Sequence, residues 1–152
     1  MIRARIRVTP EDFEVEEQLG FEPDGQGEHL LLWIEKRGVN TSWLGQQLAR
    51  WAQVQPMAVS WSGMKDRHAV TRQWFSVHLP KRIAPDEDPS IDGVQVLARS
   101  WHGRKLKRGS HRSNGFSIVL RDVEGDRAAA ESVLASIASR GVPNAFGEQR
   151  FG

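Results

Sequence analysis

Polar and apolar residues alternate with a period of two in several short stretches of this chain and recur at helical spacing in two others. Residues 3–8 set Arg3, Arg5 and Arg7 against Ala4, Ile6 and Val8, which predicts a half-buried strand with one basic face. Thr9-Pro10-Glu11-Asp12 interrupts it. Phe13-Glu14-Val15-Glu16 alternates again and predicts a second short strand with Phe13 on its core side. Residues 20–28 are glycine-rich turn chemistry. They lack a Gly-Lys-Ser/Thr ending and carry acids that would repel phosphate, so they read as a loop and not as a phosphate cradle. The apolar run 29–34 predicts a buried strand ending by Gly38. Asn40 or Thr41 then caps a helix to about Val54, with Leu44, Leu48, Trp51 and Ala52 on one face and Pro56 closing it.

Residues 59–77 read as two strand-like ends around the polar loop Gly63-Met64-Lys65-Asp66-Arg67-His68. A connector rich in Pro and acids covers 80–89, and 91–101 resume extended structure. From 99 to 112, six Lys or Arg and two His crowd into fourteen residues with no acid among them, and the stretch is expected to be a basic hairpin. Residues 115–123 carry a strong strand pattern, with Asn114-Gly115 before it reading locally as a turn and Phe116 as core. Asp126 caps a second helix whose Ala130, Val133, Leu134, Ile137 and Ala138 share a face, ended by Gly141. Residues 143–152 have the density of Gly, aromatic and polar residues expected of a functional loop. Strands and helices interspersed in this way predict an α+β fold with a mostly antiparallel sheet flanked by helices.

Composition narrows the function classes. At 152 residues the chain is one domain or most of one, and 26% charged with 39% hydrophobic residues describes a globular protein. The formal charge is only +2, so where the cations cluster matters more than their total. The absence of cysteine excludes disulfides, thiolate metal sites and cysteine nucleophiles, and fits a cytoplasmic location. The basic N-terminus has no apolar segment behind it and no run approaches the length of a membrane span. The five His are scattered without a second ligand at helical spacing, so neither a metal nor another cofactor is expected.

Two features point to chemistry. Asp66 is a carboxylate flanked by Lys65, Arg67 and His68, which keep it ionised, in a loop held between strands. An isolated tripeptide of this kind is more often a solvated turn. A solitary ionised Asp suffices for nucleophilic or base catalysis, whereas glycosidase chemistry would need a second acid placed across a sugar. The basic stretch, with Arg104, Lys105, Lys107, Arg108 and Arg112, suits phosphates, and the interleaved Trp101, His102 and His111 suit stacking on bases. The alternative is a solvated hairpin whose lysines protect a sheet edge.

Gly63-Met64-Lys65-Asp66-Arg67-His68-Ala69-Val70-Thr71 resembles the G-x-K-D-x-x-A-x-T signature of the tRNA pseudouridine synthase D family. Pro10-Glu11-Asp12-Phe13-Glu14-Val15-Glu16, Asn114-Gly115-Phe116 and the segment 141–152 agree with further blocks of that family in the same order. The resemblance implies a pseudouridine synthase-like fold and an enzyme that isomerises uridine-13 of tRNA to pseudouridine without metal or cofactor. It makes Asp66 the catalytic aspartate, as nucleophile or base, and puts base-contacting roles on Phe13, Asn114 and Phe116. Arg104, Lys105, Lys107, Arg108 and Arg112 are then the expected tRNA surface. Family members are about twice as long. Residues 1–152 are therefore expected to be the N-terminal part of the catalytic domain, without the inserted domain and C-terminal catalytic part. Such a fragment is expected to be inactive, and the full-length protein to be a monomer. The competing reading is a non-catalytic RNA-binding module that retains the fold.

Overall fold

The strands and helices, in chain order, are Arg3–Arg5 (β1), Phe13–Gln18 (β2), His29–Arg37 (β3), Thr41–Trp51 (α1), Val59–Trp61 (β4), Val70–His78 (β5), Val94–His102 (β6), Ser113–Ile118 (β7), Arg121–Glu124 (β8) and Arg127–Arg140 (α2). They come from a computed structural model that describes residues 2–143 and 145. Most of the expected loop at 143–152 lies outside the described residues. The chain divides into two units, Ile6–Val119 and a smaller one joining Met1–Arg5 to Leu120–Gly152.

In the larger unit a sheet of strand order β6-β3-β5-β2-β7, with β4 beside β5, is antiparallel except where β2 runs parallel to β5. The fold is thus α+β with a mostly antiparallel sheet. β3 and β5 are interior strands and are buried on both faces over much of their length, β5 with the polar Thr71, Gln73 and Ser76 among its buried residues. Leu30, Leu32 and Ile34 pack with Phe75, Val77 and the α1 residues Leu44, Leu48 and Ala49. Leu31, on the other face, packs with Leu19 and Leu106. Asn40 caps α1 by accepting the Trp43 N–H at 3.0 Å, as its sequence predicts.

The basic stretch is not a hairpin. β6 and β7 occupy opposite edges of the sheet, so residues 103–112 form a crossover between them. The crossover is pinned where it passes β4 and β5. Leu106 is buried, its N–H donates to Ser76 Oγ (3.2 Å), its carbonyl accepts from Ser60 Oγ (2.8 Å), and Gly109 N–H donates to the Ser62 carbonyl (2.7 Å). Asn114-Gly115 is not a turn either. It lies within β7, opposite Glu17 and Glu16 of β2. Phe116, expected in the core, is 61% exposed.

In the smaller unit β1 pairs antiparallel with β8, and Arg5 meets Asp122 at 3.2 Å. The strand expected over 3–8 therefore lasts three residues, all exposed, and Arg7 has φ 55°, incompatible with extended backbone. The strand expected over 115–123 is divided between β7 and β8. Asp126 caps α2 by accepting the Ala129 N–H at 3.1 Å, and Gly141 ends it at φ 75°. Its apolar positions Val133, Leu134 and Ile137 are exposed.

Candidate active site

β2 alternates strictly, with Phe13, Val15 and Glu17 buried and Glu14, Glu16 and Gln18 facing outward or half-buried. Its antiparallel register with β7 puts Phe13 opposite Ile118, Val15 opposite Phe116 and Glu17 opposite Asn114. Directly opposed residues share a face, so Phe13, Phe116, Glu17 and Asn114 lie on one side of the pair. Phe13 and Phe116 meet edge to face, with ring centroids 6.1 Å apart.

The loop carrying Asp66 is tied down through its backbone. Thr41, at the start of α1, accepts the Lys65 N–H on Oγ1 (3.1 Å), and its hydroxyl faces Gln73 Oε1 (3.2 Å). Gln73 in turn donates from Nε2 to the Gly63 carbonyl (3.0 Å). Lys36, on β3, donates from Nζ to the carbonyls of Val39 (2.8 Å) and Asp66 (3.1 Å). Arg67 donates from Nε to the Gly38 carbonyl at 3.2 Å. With its backbone held on these sides, the Asp66 side chain is left half exposed, and its Oδ2 lies 3.3 Å from an Arg7 nitrogen. The Arg7 guanidinium also sits 4.1 Å above the Phe13 ring, a cation–π contact. Asp66, Arg7, Phe13 and Phe116 thus form a continuous line of contacts.

Behind the loop is a buried ion pair. Lys65 Nζ lies 3.2 Å from Glu17 Oε2, the two side chains being 4% and 0% exposed. The other Glu17 oxygen accepts the Trp74 N–H at 3.1 Å. Lys36 is also buried, and desolvation pushes its ammonium down from 10.5 to about 8, against the pull of the Asp66 charge and with the help of Lys65. At the edge of the site Arg37 pairs with Glu11, and that hydrogen bond holds the Glu11 carboxyl down at about 2.

The structure therefore brings Asp66 together with Phe13 and Phe116 through Arg7, while Asn114 stands in register opposite Glu17, the partner of Lys65. Arg104, Lys105, Lys107, Arg108 and Arg112 are exposed along the crossover and carry no ion pair among the described residues. Clefts of about 450 and 510 Å³ run beside the crossover, both lined by Lys105, Leu106 and Lys107. Two of the expected base-stacking residues are already engaged: His102 stacks on Phe21 at 5.0 Å and pairs with Asp24, and Trp101 carries the Arg82 guanidinium at 5.0 Å. Among the described residues no group of His, Asp and Glu is arranged to hold a metal, and no helix is long and apolar enough to cross a membrane.

Sequence reasoning placed Lys65 beside Asp66 but missed its buried pairing with Glu17, and it missed Arg7, Glu17 and Lys36 as neighbours of the loop. Lys36 left a visible signal, since it falls on the inward-facing positions of an apolar strand after Leu32 and Ile34. Arg7 left none beyond being basic.

The family model for tRNA pseudouridine synthase D (TruD) matches residues 1–152. Two curated proteins named tRNA pseudouridine synthase D, from Xanthomonas euvesicatoria and Cellvibrio japonicus, are 55% and 53% identical over 100% and 98% of this chain. The chain spans 42% and 46% of their respective lengths. A crystal structure described as a tRNA pseudouridine synthase D from Methanosarcina mazei matches with a TM-score of 0.76 and 31% identity, over 98% of this chain and 35% of that one.

Proposed function

This chain belongs to the tRNA pseudouridine synthase D family, and from that premise we propose that residues 1–152 are the N-terminal part of a catalytic domain that converts uridine-13 of tRNA to pseudouridine. Asp66 acts on the ribose of the target nucleotide while its base detaches, turns and rejoins through carbon. Phe13, Phe116 and Asn114 receive the base once it has left its stack. Arg104, Lys105, Lys107, Arg108 and Arg112 engage the tRNA phosphates.

The observation that carries this reading is the setting of Asp66. Its backbone is fastened on several sides while its carboxylate is half exposed, beside Arg7 and in line with two aromatic rings. A carboxylate that only solvated a turn would not need such anchoring.

The reaction replaces the hydrogen on uracil C5 by a bond to the sugar, so tritium release from tRNA labelled at uridine C5 measures it. Protein of the relatives' full length carrying this sequence is expected to release tritium, and residues 1–152 alone are expected to release none. Asp66→Asn in the long form is expected to abolish release while leaving tRNA affinity in place. The exposed basic crossover also suits a non-catalytic RNA-binding module, and the absence of any release from the long form would favour that reading.

A further inference from the structure

Next to Asp66 the protein leaves polar groups with unspent hydrogen-bonding capacity. The Lys65 ammonium is buried and has Glu17 as its partner among the described residues, so two of its three N–H groups remain to be given. The Asn114 amide donates from Nδ2 to His111 Nε2 at 3.3 Å, while its Oδ1 is buried without a partner. His111 Nδ1 is buried and unpartnered too. With Nε2 accepting, the imidazole carries its proton on Nδ1. The pair therefore presents one acceptor, Asn114 Oδ1, and one donor, His111 Nδ1–H. Buried polar atoms are rarely left in this state unless something else completes them.

These groups lie together. Glu17 is opposite Asn114 across β2 and β7 and holds Lys65. A Cβ added to Gly63 would stand 3.2 Å from His111 Cε1 and 3.3 Å from Lys65 Nζ, so imidazole and ammonium approach one point over the loop that carries Asp66. A cation, a neutral donor and a neutral acceptor complement a planar ring bearing carbonyl oxygens around an imide N–H. Uracil has that edge. Cytosine presents an amine donor and a bare ring nitrogen there instead, and Asn114 Oδ1 would face an acceptor.

We propose that Lys65, His111 and Asn114 form a recess for the imide edge of the detached uracil, in which the Lys65 ammonium stabilises the anionic base. This rests on the reading of the chain as part of a pseudouridine synthase. Breaking the C1′–N1 bond sends both electrons to uracil N1, and the charge spreads to O2 and O4. The ammonium and the His111 N–H donate to those oxygens, and Asn114 accepts from N3–H. When C5 bonds to C1′, the C5 proton departs and N1 takes one up, so the isomerisation is balanced without any further reactant. Glu17 is the positioning residue: it orients the ammonium.

The test uses protein of the relatives' full length. Glu17→Gln and Lys65→Met together remove both charges of the pair while an amide oxygen can still accept the Trp74 N–H. If the pair were only scaffolding, the double variant would work normally. Expected instead are an unchanged melting temperature and tRNA affinity, with single-turnover tritium release slower by about 100-fold. A parent-like rate in the folded double variant overturns the proposal. Should that variant fail to fold, His111→Ala decides: release about tenfold slower at an unchanged melting temperature supports the recess, and an unchanged rate overturns it. A parent protein that releases no tritium sinks the underlying reading as well, whereas an active parent with undiminished variants removes the recess alone.

Discussion

Arg7 and Asp66 stand 59 residues apart in the chain, yet a guanidinium nitrogen of the first lies 3.3 Å from the carboxylate of the second. Side-chain exposures of 35% and 51% make this a pair of little consequence for folding, below about 1 kcal/mol. Its geometry matters more, because the same guanidinium covers the Phe13 ring and so relates the carboxylate to the aromatic floor. If the proposed activity holds, Arg7→Ala in protein of the relatives' full length should leave the melting curve almost unmoved and slow single-turnover tritium release by about 100-fold, the effect of a misplaced reacting group. Arg7→Lys should recover part of the rate.

The crossover makes a prediction about binding. Reversing Arg104, Lys105, Lys107 and Arg108 to Glu should weaken tRNA binding for every tRNA alike. The dependence of log affinity on log salt should flatten by roughly one unit for each phosphate that is no longer neutralised. Filter binding across a salt series measures it, and an unchanged slope would show that tRNA lies elsewhere. Leu106, which anchors the crossover, is not substituted, so the fold is expected to survive.

Lys36 ties stability to pH. Its folded value of about 8 lies below the ordinary 10.5, so between those values the unfolded chain holds a proton that the folded one has released. Unfolding then takes up a proton, and the contribution of Lys36 to stability rises as pH climbs through that window, by at most about 3 kcal/mol. Below about pH 8 the group is charged in both states and the contribution is flat. Urea melts of the parent and of Lys36→Met should keep a constant separation below the window and change it within, the parent gaining stability relative to the variant as pH rises.

Gly45 sits mid-helix in α1, where alanine would ordinarily add about 1 kcal/mol. Here the added methyl would fall inside the Trp61 ring, with Cη2 at 2.9 Å and Cε3 at 3.2 Å. Trp61 cannot retreat freely, because it packs on the buried Phe75 with centroids 5.7 Å apart. Overpacking of this kind costs about 1–3 kcal/mol and should outweigh the helical gain. Gly45→Ala is expected to lower the denaturation midpoint, and Trp61→Leu in the same chain to restore much of the stability.

Local chemistry is readable where the determinant is local. The caps Asn40 and Asp126, the terminating Gly141 and the doubly buried run in β3 all rest on interactions within a few residues of sequence. Alternation also reveals which residues of β2 face inward. It does not reveal which strands are neighbours, and the basic stretch therefore reads as a hairpin although its flanking strands lie at opposite sheet edges. Period two specifies a face and says nothing of a partner.

The site divides along the same line. Asp66 stands out from its own charged loop, whereas Phe13, Asn114 and Phe116 read locally as core and turn and become candidates only through the family resemblance. The position of α1 just after β3 is set by a capping residue in plain view. The company those candidates keep was decided by tertiary structure alone. Arg7 reaches Asp66, Glu17 holds Lys65, and Lys36 supports the Asp66 carbonyl only after the sheet has closed the distance. An ion pair's energy depends on separation and burial in space. A string of residues carries backbone preference and hydrophobic period, while pairings across the sheet exist only once the fold has removed water and brought the partners within reach.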